Sequence, residues 1–123
     1  MITVFPEKDS SLIKRIFEDK NIPYNEKSGL VSAKFGDEIL GFCLYYLDDK
    51  QIEILYIEPT DDIMLADGIL RSALHVASER FVFKAYYGEN TDSEIFNKLG
   101  FIKDFENRVL DIDKLFGGCH CQK

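Results

Sequence analysis

The stretch from Gln51 to Arg80, QIEILYIEPTDDIMLADGILRSALHVASER, changes its periodicity at Pro59. Before the proline the residues alternate. Ile52, Ile54 and Tyr56 fall on one face of a strand, and Glu53, Leu55 and Ile57 on the other. After it, Ile63, Ala66, Leu70, Ala73, Leu74 and Ala77 recur at helical spacing and form one apolar stripe. Asp67, Arg71, His75 and Ser78 make up the opposite, polar stripe, with Asp67 placed before Arg71 in the better order for an ion pair. His75 on that stripe reads as a solvated surface histidine. A strand that feeds a helix through a short turn presents free N–H groups at the helix start, which suits an anion.

The rest of the chain is read outward from this unit. Ile39 to Leu47 is nearly all apolar, as a strand buried on both faces would be. Leu30 to Phe35 alternates, and Gly36-Asp37 and Asp48-Asp49-Lys50 are turn signals, so three strands form an antiparallel meander. Upstream, Ile2 to Phe5 is a short strand closed by Pro6. Asp9 or Ser10 caps a helix carrying Leu12, Ile13, Ile16 and Phe17, and Asp19 to Gly29 is loop. Downstream, Phe81 to Tyr87 is an aromatic strand, followed by a turn at Gly88-Glu89-Asn90. Thr91 or Asp92 then caps a short helix that ends at Gly100. Phe101-Ile102 and Val109, Leu110 and Ile112 supply a last strand pair.

The 123 residues suffice for one domain, expected over residues 1–116, with residues 117–123 as a tail. A composition 46% hydrophobic and 30% charged is that of a globular chain. A net charge of −7 argues against nucleic acid or an anionic membrane as partner. With no long apolar run and no basic, apolar leader, a cytoplasmic location is the default expectation. Cys43 reads as a small core residue. Cys119, His120 and Cys121 could ligate zinc or copper, but structural zinc sites space their cysteines more widely, so no metal is expected.

The element order and two local sequences resemble the GNAT superfamily of acetyl-CoA-dependent N-acetyltransferases. Phe96-Asn97-Lys98-Leu99-Gly100-Phe101 is similar to the family's (F/Y)-x-K-L-G-F at the end of its last helix. Leu55-Tyr56-Ile57-Glu58-Pro59 is similar to its L-x-V-x-P at the end of the fourth strand. The resemblance implies an α+β fold, with a mixed, mostly antiparallel sheet of about six strands packed by a long central helix. It also implies acetyl-CoA as co-substrate, a small-molecule or peptide amine as acceptor, and a monomer or homodimer.

Carried onto this chain, the resemblance gives the cofactor's pantetheine arm to Leu55, Tyr56 and Ile57, with Asn90 and Phe96 nearby. Its diphosphate falls to Leu65 and Gly68 at the start of the long helix. Glu53 is the candidate general base and Glu58 the second. Phe96 stands where the family often has a tyrosine acid, so Tyr87, or its neighbour Tyr86, is the candidate replacement. The family's (Q/R)-x-x-G-x-(G/A) loop is reduced to Gly68, with Leu65 and Leu70 at the other two positions and Gly68 set further from Pro59. Thr60 is the expected N-cap of a helix from Asp61, which makes Gly68 a helix-interior glycine kept for close packing. The alternative is a start at Asp67, with residues 60–66 looping around a cofactor. A GNAT-fold binding module that has lost acetyl-CoA is the rival reading of function.

Overall fold

The α-helices among the described residues close in the same way. In the computed structural model, which describes residues 1–115, helix α1 spans Ser10–Asp19, α2 Ile63–Glu79 and α3 Glu94–Leu99. After α1, the Ile22 N–H donates to the Phe17 carbonyl and the Asn21 N–H to that of Glu18. After α2, Val82 bonds to Ala77 and Phe81 to Ser78; after α3, Phe101 bonds to Phe96 and Gly100 to Asn97. This paired bonding leaves one residue left-handed: Asn21 at φ 58°, Phe81 at 62° and Gly100 at 75°.

Glycine and asparagine suit that position, but phenylalanine does not. Phe81 is 85% exposed, so its ring recovers little by burial. The turn also occupies residues expected to be strand, so the aromatic strand is only Ala85–Tyr87. Gly68 is the complementary case. It lies inside α2, as expected of an early helix start, but a Cβ there would meet nothing within 4 Å among the described residues. Close packing therefore does not explain it. Phe81→Gly and Gly68→Ala should each raise unfolding stability by about 1 kcal/mol, read as a higher denaturant midpoint at unchanged slope.

Among the described residues seven strands form one sheet: β1 Ile2–Pro6, β2 Ser28–Phe35, β3 Glu38–Leu47, β4 Ile52–Glu58, β5 Ala85–Tyr87, β6 Ile102–Asp104 and β7 Val109–Leu110. Their order is β1-β2-β3-β4-β5-β7-β6. All neighbours are antiparallel except β4 and β5. The expected meander, long helix and α+β architecture are present, with one strand more than estimated. A short 3₁₀ helix, Ile112–Leu115, follows β7. The Cys119-His120-Cys121 cluster and the 117–123 tail lie outside the described residues.

The sheet is covered on both faces. Ala66, Ile69, Leu70, Ala73, Leu74 and Ala77 of α2 bury one face with Val31, Ala33, Cys43, Ile52 and Ile54. Ile63, expected on this stripe, is substantially exposed, and Ile69 lies on it instead. On the other side Asp67 and Arg71 pair at 2.8 Å and His75 is exposed. Ile13 and Phe17 of α1 cover Leu30, Phe42 and Leu44 on the second face. Among the described residues no helix is long and apolar enough to cross a membrane.

Candidate functional site

The strand alternation expected for Gln51–Ile57 breaks in the middle. Tyr45 pairs with Ile54 and Leu44 with Tyr56, so Leu55 is an extra residue in β4. Such a bulge shifts every later side chain to the other face. Ile52, Ile54 and then Ile57 pack toward α2, while Leu55 and Tyr56 turn toward the α1 side. Glu53, Leu55, Tyr56 and Glu58 consequently border one cleft, although simple alternation separates Tyr56 from Glu53 and Leu55.

The cleft opens because β4 and β5 part early. Their parallel ladder runs only through Ile52–Ala85, Glu53–Tyr86 and Ile54–Tyr87. Beyond it, the Gly88 N–H still reaches the Ile54 carbonyl at 2.9 Å, and the chain then turns away through Gly88–Thr91. The Thr91 hydroxyl lies 2.8 Å from the Leu55 carbonyl and 3.3 Å from that of Ile54. A Cβ on Gly88 would come within 2.7 Å of this hydroxyl and 3.4 Å of Glu53 Oε2, so the turn needs its glycine for close approach. Thr91→Val should lower stability by about 1 kcal/mol, because it deletes the hydroxyl that closes the fork. A denaturant titration would check this.

Two adjoining chambers, of about 400 and 300 Å³, share Leu55, Tyr56, Asn90 and Thr91 as walls. Glu53 and Gly88 border the larger, which the turn after α1 closes with Lys20, Asn21 and Ile22. Glu58 and Thr60 border the smaller. Glu53 is half-buried and stands opposite Tyr46 of β3. Burial, and then the Glu53 charge, raise the Tyr46 pKa; the Tyr46 hydroxyl donates to the Pro23 carbonyl.

Where the chambers meet, the Tyr56 hydroxyl donates to Glu58 Oε1 at 2.6 Å, and the Lys20 ammonium sits 3.4 Å from the same oxygen. Burial, followed by the bond to Glu58, raises the Tyr56 pKa. Hydrogen bonding to Tyr56, and after it the Glu58 charge, raise the Lys20 pKa against an opposing effect of burial.

Of the residues singled out by sequence, the cleft brings together Glu53, Glu58, Leu55, Tyr56, Ile57 and Asn90. The others stand elsewhere. Tyr87 lines neither chamber: its ring stacks on Phe96 at 5.3 Å and its hydroxyl lies 3.5 Å from the Phe105 carbonyl. The register puts Tyr86, not Tyr87, beside Glu53. Phe96 is fully buried in the α2 core. Leu65 borders a separate depression with Leu40 and Pro59, and Gly68 lies in the second turn of α2.

The helix start also differs from expectation. Asp62, not Thr60, is the N-cap, and its carboxylate accepts the Leu65 N–H at 3.1 Å. A carboxylate therefore satisfies part of the helix's positive end, with Asp61 alongside. Lys20, Tyr46, Gly88 and Thr91 of the cleft were not singled out by sequence for this role. Lys20 lay at the edge of a loop, Tyr46 within a buried strand, and Gly88 and Thr91 read as turn and cap. In fact Asp92 Oδ1 accepts the Glu94 N–H at the start of α3, which leaves the Thr91 side chain for β4.

Among solved structures the chain is similar to a GNAT family acetyltransferase from Elizabethkingia anophelis with acetyl-CoA bound. The TM-score is 0.56 at 20% identity, over 81% of this chain and 74% of that one. The likeness supports the GNAT-like fold. No family model and no curated protein matches the sequence.

Proposed function

We infer that the chain transfers an acetyl group from acetyl-CoA to a primary amine on a small molecule or peptide. The observation that carries this reading is the forked β4–β5 pair, opening onto a cleft with Glu53 on its wall. The fold shared with an acetyl-CoA-bound enzyme supports it. In this reading the pantetheine arm lies in the fork against Leu55, Tyr56, Ile57 and Asn90. The amine enters beside Glu53 from the α1 side.

Glu53 takes a proton from the arriving ammonium, which frees the nitrogen lone pair to bond to the thioester carbonyl carbon. The carbon–sulfur bond then breaks, and CoA leaves as a thiolate that takes up the proton the nitrogen sheds after attack. No covalent enzyme intermediate is needed, so the protein's work is positioning and proton removal. The thioester has to share the fork with Thr91, whose hydroxyl already engages the Leu55 carbonyl.

Asp61 and Asp62 at the start of α2 oppose an anion, so binding rests on the arm and the thioester. That feature favours the rival, a GNAT-fold binding module without acetyl-CoA. Calorimetric titration with acetyl-CoA at low salt, with desulfo-CoA and ATP as controls, decides between them. Micromolar binding of acetyl-CoA that survives added salt, with ATP silent, is the expected result. No heat at millimolar acetyl-CoA would overturn the transferase and leave the module.

A further inference from the structure

Lys20 occupies a place that an outside amine would fit. Its ammonium lies 4.9 Å from the ring centre of Tyr56 and 5.8 Å from that of Phe42. The two rings stack at 5.7 Å, and Glu58 closes the third side at 3.4 Å. Two aromatic faces and a carboxylate are the groups that recognise an alkylammonium ion. Phe42 is on β3 and Tyr56 and Glu58 are on β4, so the cage is built on paired strands. Its occupant hangs on a flexible four-carbon stem from the residue that ends α1.

Lys34 meets Phe5 and Glu7 in a similar way, at 5.3 and 3.2 Å, but none of the three borders the cleft. Lys20 and Tyr56 border the larger chamber directly, and Tyr56 and Glu58 the smaller.

We propose that Phe42, Tyr56 and Glu58 form a subsite for a primary alkylammonium group, which Lys20 fills as an internal stand-in until a ligand amine displaces it. The acceptor class is then an amine on an unbranched alkyl chain, such as a lysine side chain or an aliphatic diamine. The cage holds an ammonium, so the reacting amine would be the chain's other end or the same group once moved toward Glu53. Naming the occupant an acceptor rests on the acetyl-transfer reading; its binding does not.

The test uses n-butylammonium without acetyl-CoA, with n-butanol as the uncharged control, and follows Tyr56 resonances by NMR. Lys20→Met keeps the stem and removes the competing charge. It should bind n-butylammonium about tenfold more tightly than the wild type, since a tethered group competes at high effective concentration. Adding Glu58→Gln should abolish the gain, and n-butanol should show none. Lys20→Gln replaces Lys20→Met if the latter does not fold. Equal affinity in wild type and variant, or a gain that survives Glu58→Gln, would overturn the subsite and leave Lys20 as a strap between α1 and β4. Success here with a silent acetyl-CoA titration would keep the ammonium site and discard the transferase; the reverse would discard only the subsite.

Discussion

Glu53→Gln should lower kcat for acetylation of an accepted amine by about 10²-fold or more at neutral pH, with acetyl-CoA affinity unchanged. The carboxylate is half-buried on β4, beside the point where the ladder to β5 ends. Glutamine keeps the shape and the hydrogen-bonding oxygen but cannot accept the amine's proton. The loss should shrink as pH rises and more of the amine arrives already neutral. A merely structural Glu53 would not produce that pH dependence. Steady-state rates across a pH series, with calorimetry for acetyl-CoA, make the measurement. A variant within about threefold of wild type at neutral pH would remove Glu53 from the proton path.

Phe96→Ala should cost about 3–5 kcal/mol of unfolding free energy. The ring is fully buried, stacks on Tyr87 with an interplanar angle of 20°, and belongs to the core beneath α2. Truncation leaves a cavity between α3 and the sheet. A domain of this size holds about 5–15 kcal/mol in total, so the variant should be marginal at best. Phe96→Leu, which fills much of the space, should lose about 1–2 kcal/mol. Its acetyl-CoA affinity should match the wild type, because Phe96 borders neither chamber. A stable Phe96→Leu protein with weakened acetyl-CoA binding would restore this ring to the cofactor side.

The two variants divide what was readable from sequence. Periodicity located the strands around the meander and the long helix, since burial on one face writes itself into spacing. The (F/Y)-x-K-L-G-F stretch correctly placed Gly100 at a helix end, because a left-handed closure favours glycine. It also suggested a ligand role for Phe96, but a motif position does not reveal which face a ring joins.

The extra residue at Leu55 left no local mark, since an apolar residue in a run of apolar residues looks the same with or without a bulge. Lys20 reaches β4 across 38 positions of sequence, and no short-range pattern encodes such a contact. The start of α2 moved from Thr60 to Asp62 because both residue types cap helices, and only the turn after Pro59 selects one. Phe81 broke the rule that helices stop at small residues, and the strand reading ran through it.

Three residue pairs are all that zip β4 to β5, so the sheet has a built-in seam between a broad half, β1 to β4, and a narrow one, β5, β7 and β6. The long helix splints the two: its Arg71 guanidinium rests 5.2 Å above the Phe101 ring on the narrow side, while its apolar stripe grips the broad one. Backbone amides along the seam should therefore trade hydrogen for deuterium sooner than those inside the β2–β3 pairing. A molecule lodged in the fork would slow that exchange, so the Gly88 amide, bonded to Ile54 at the last rung, would report occupancy.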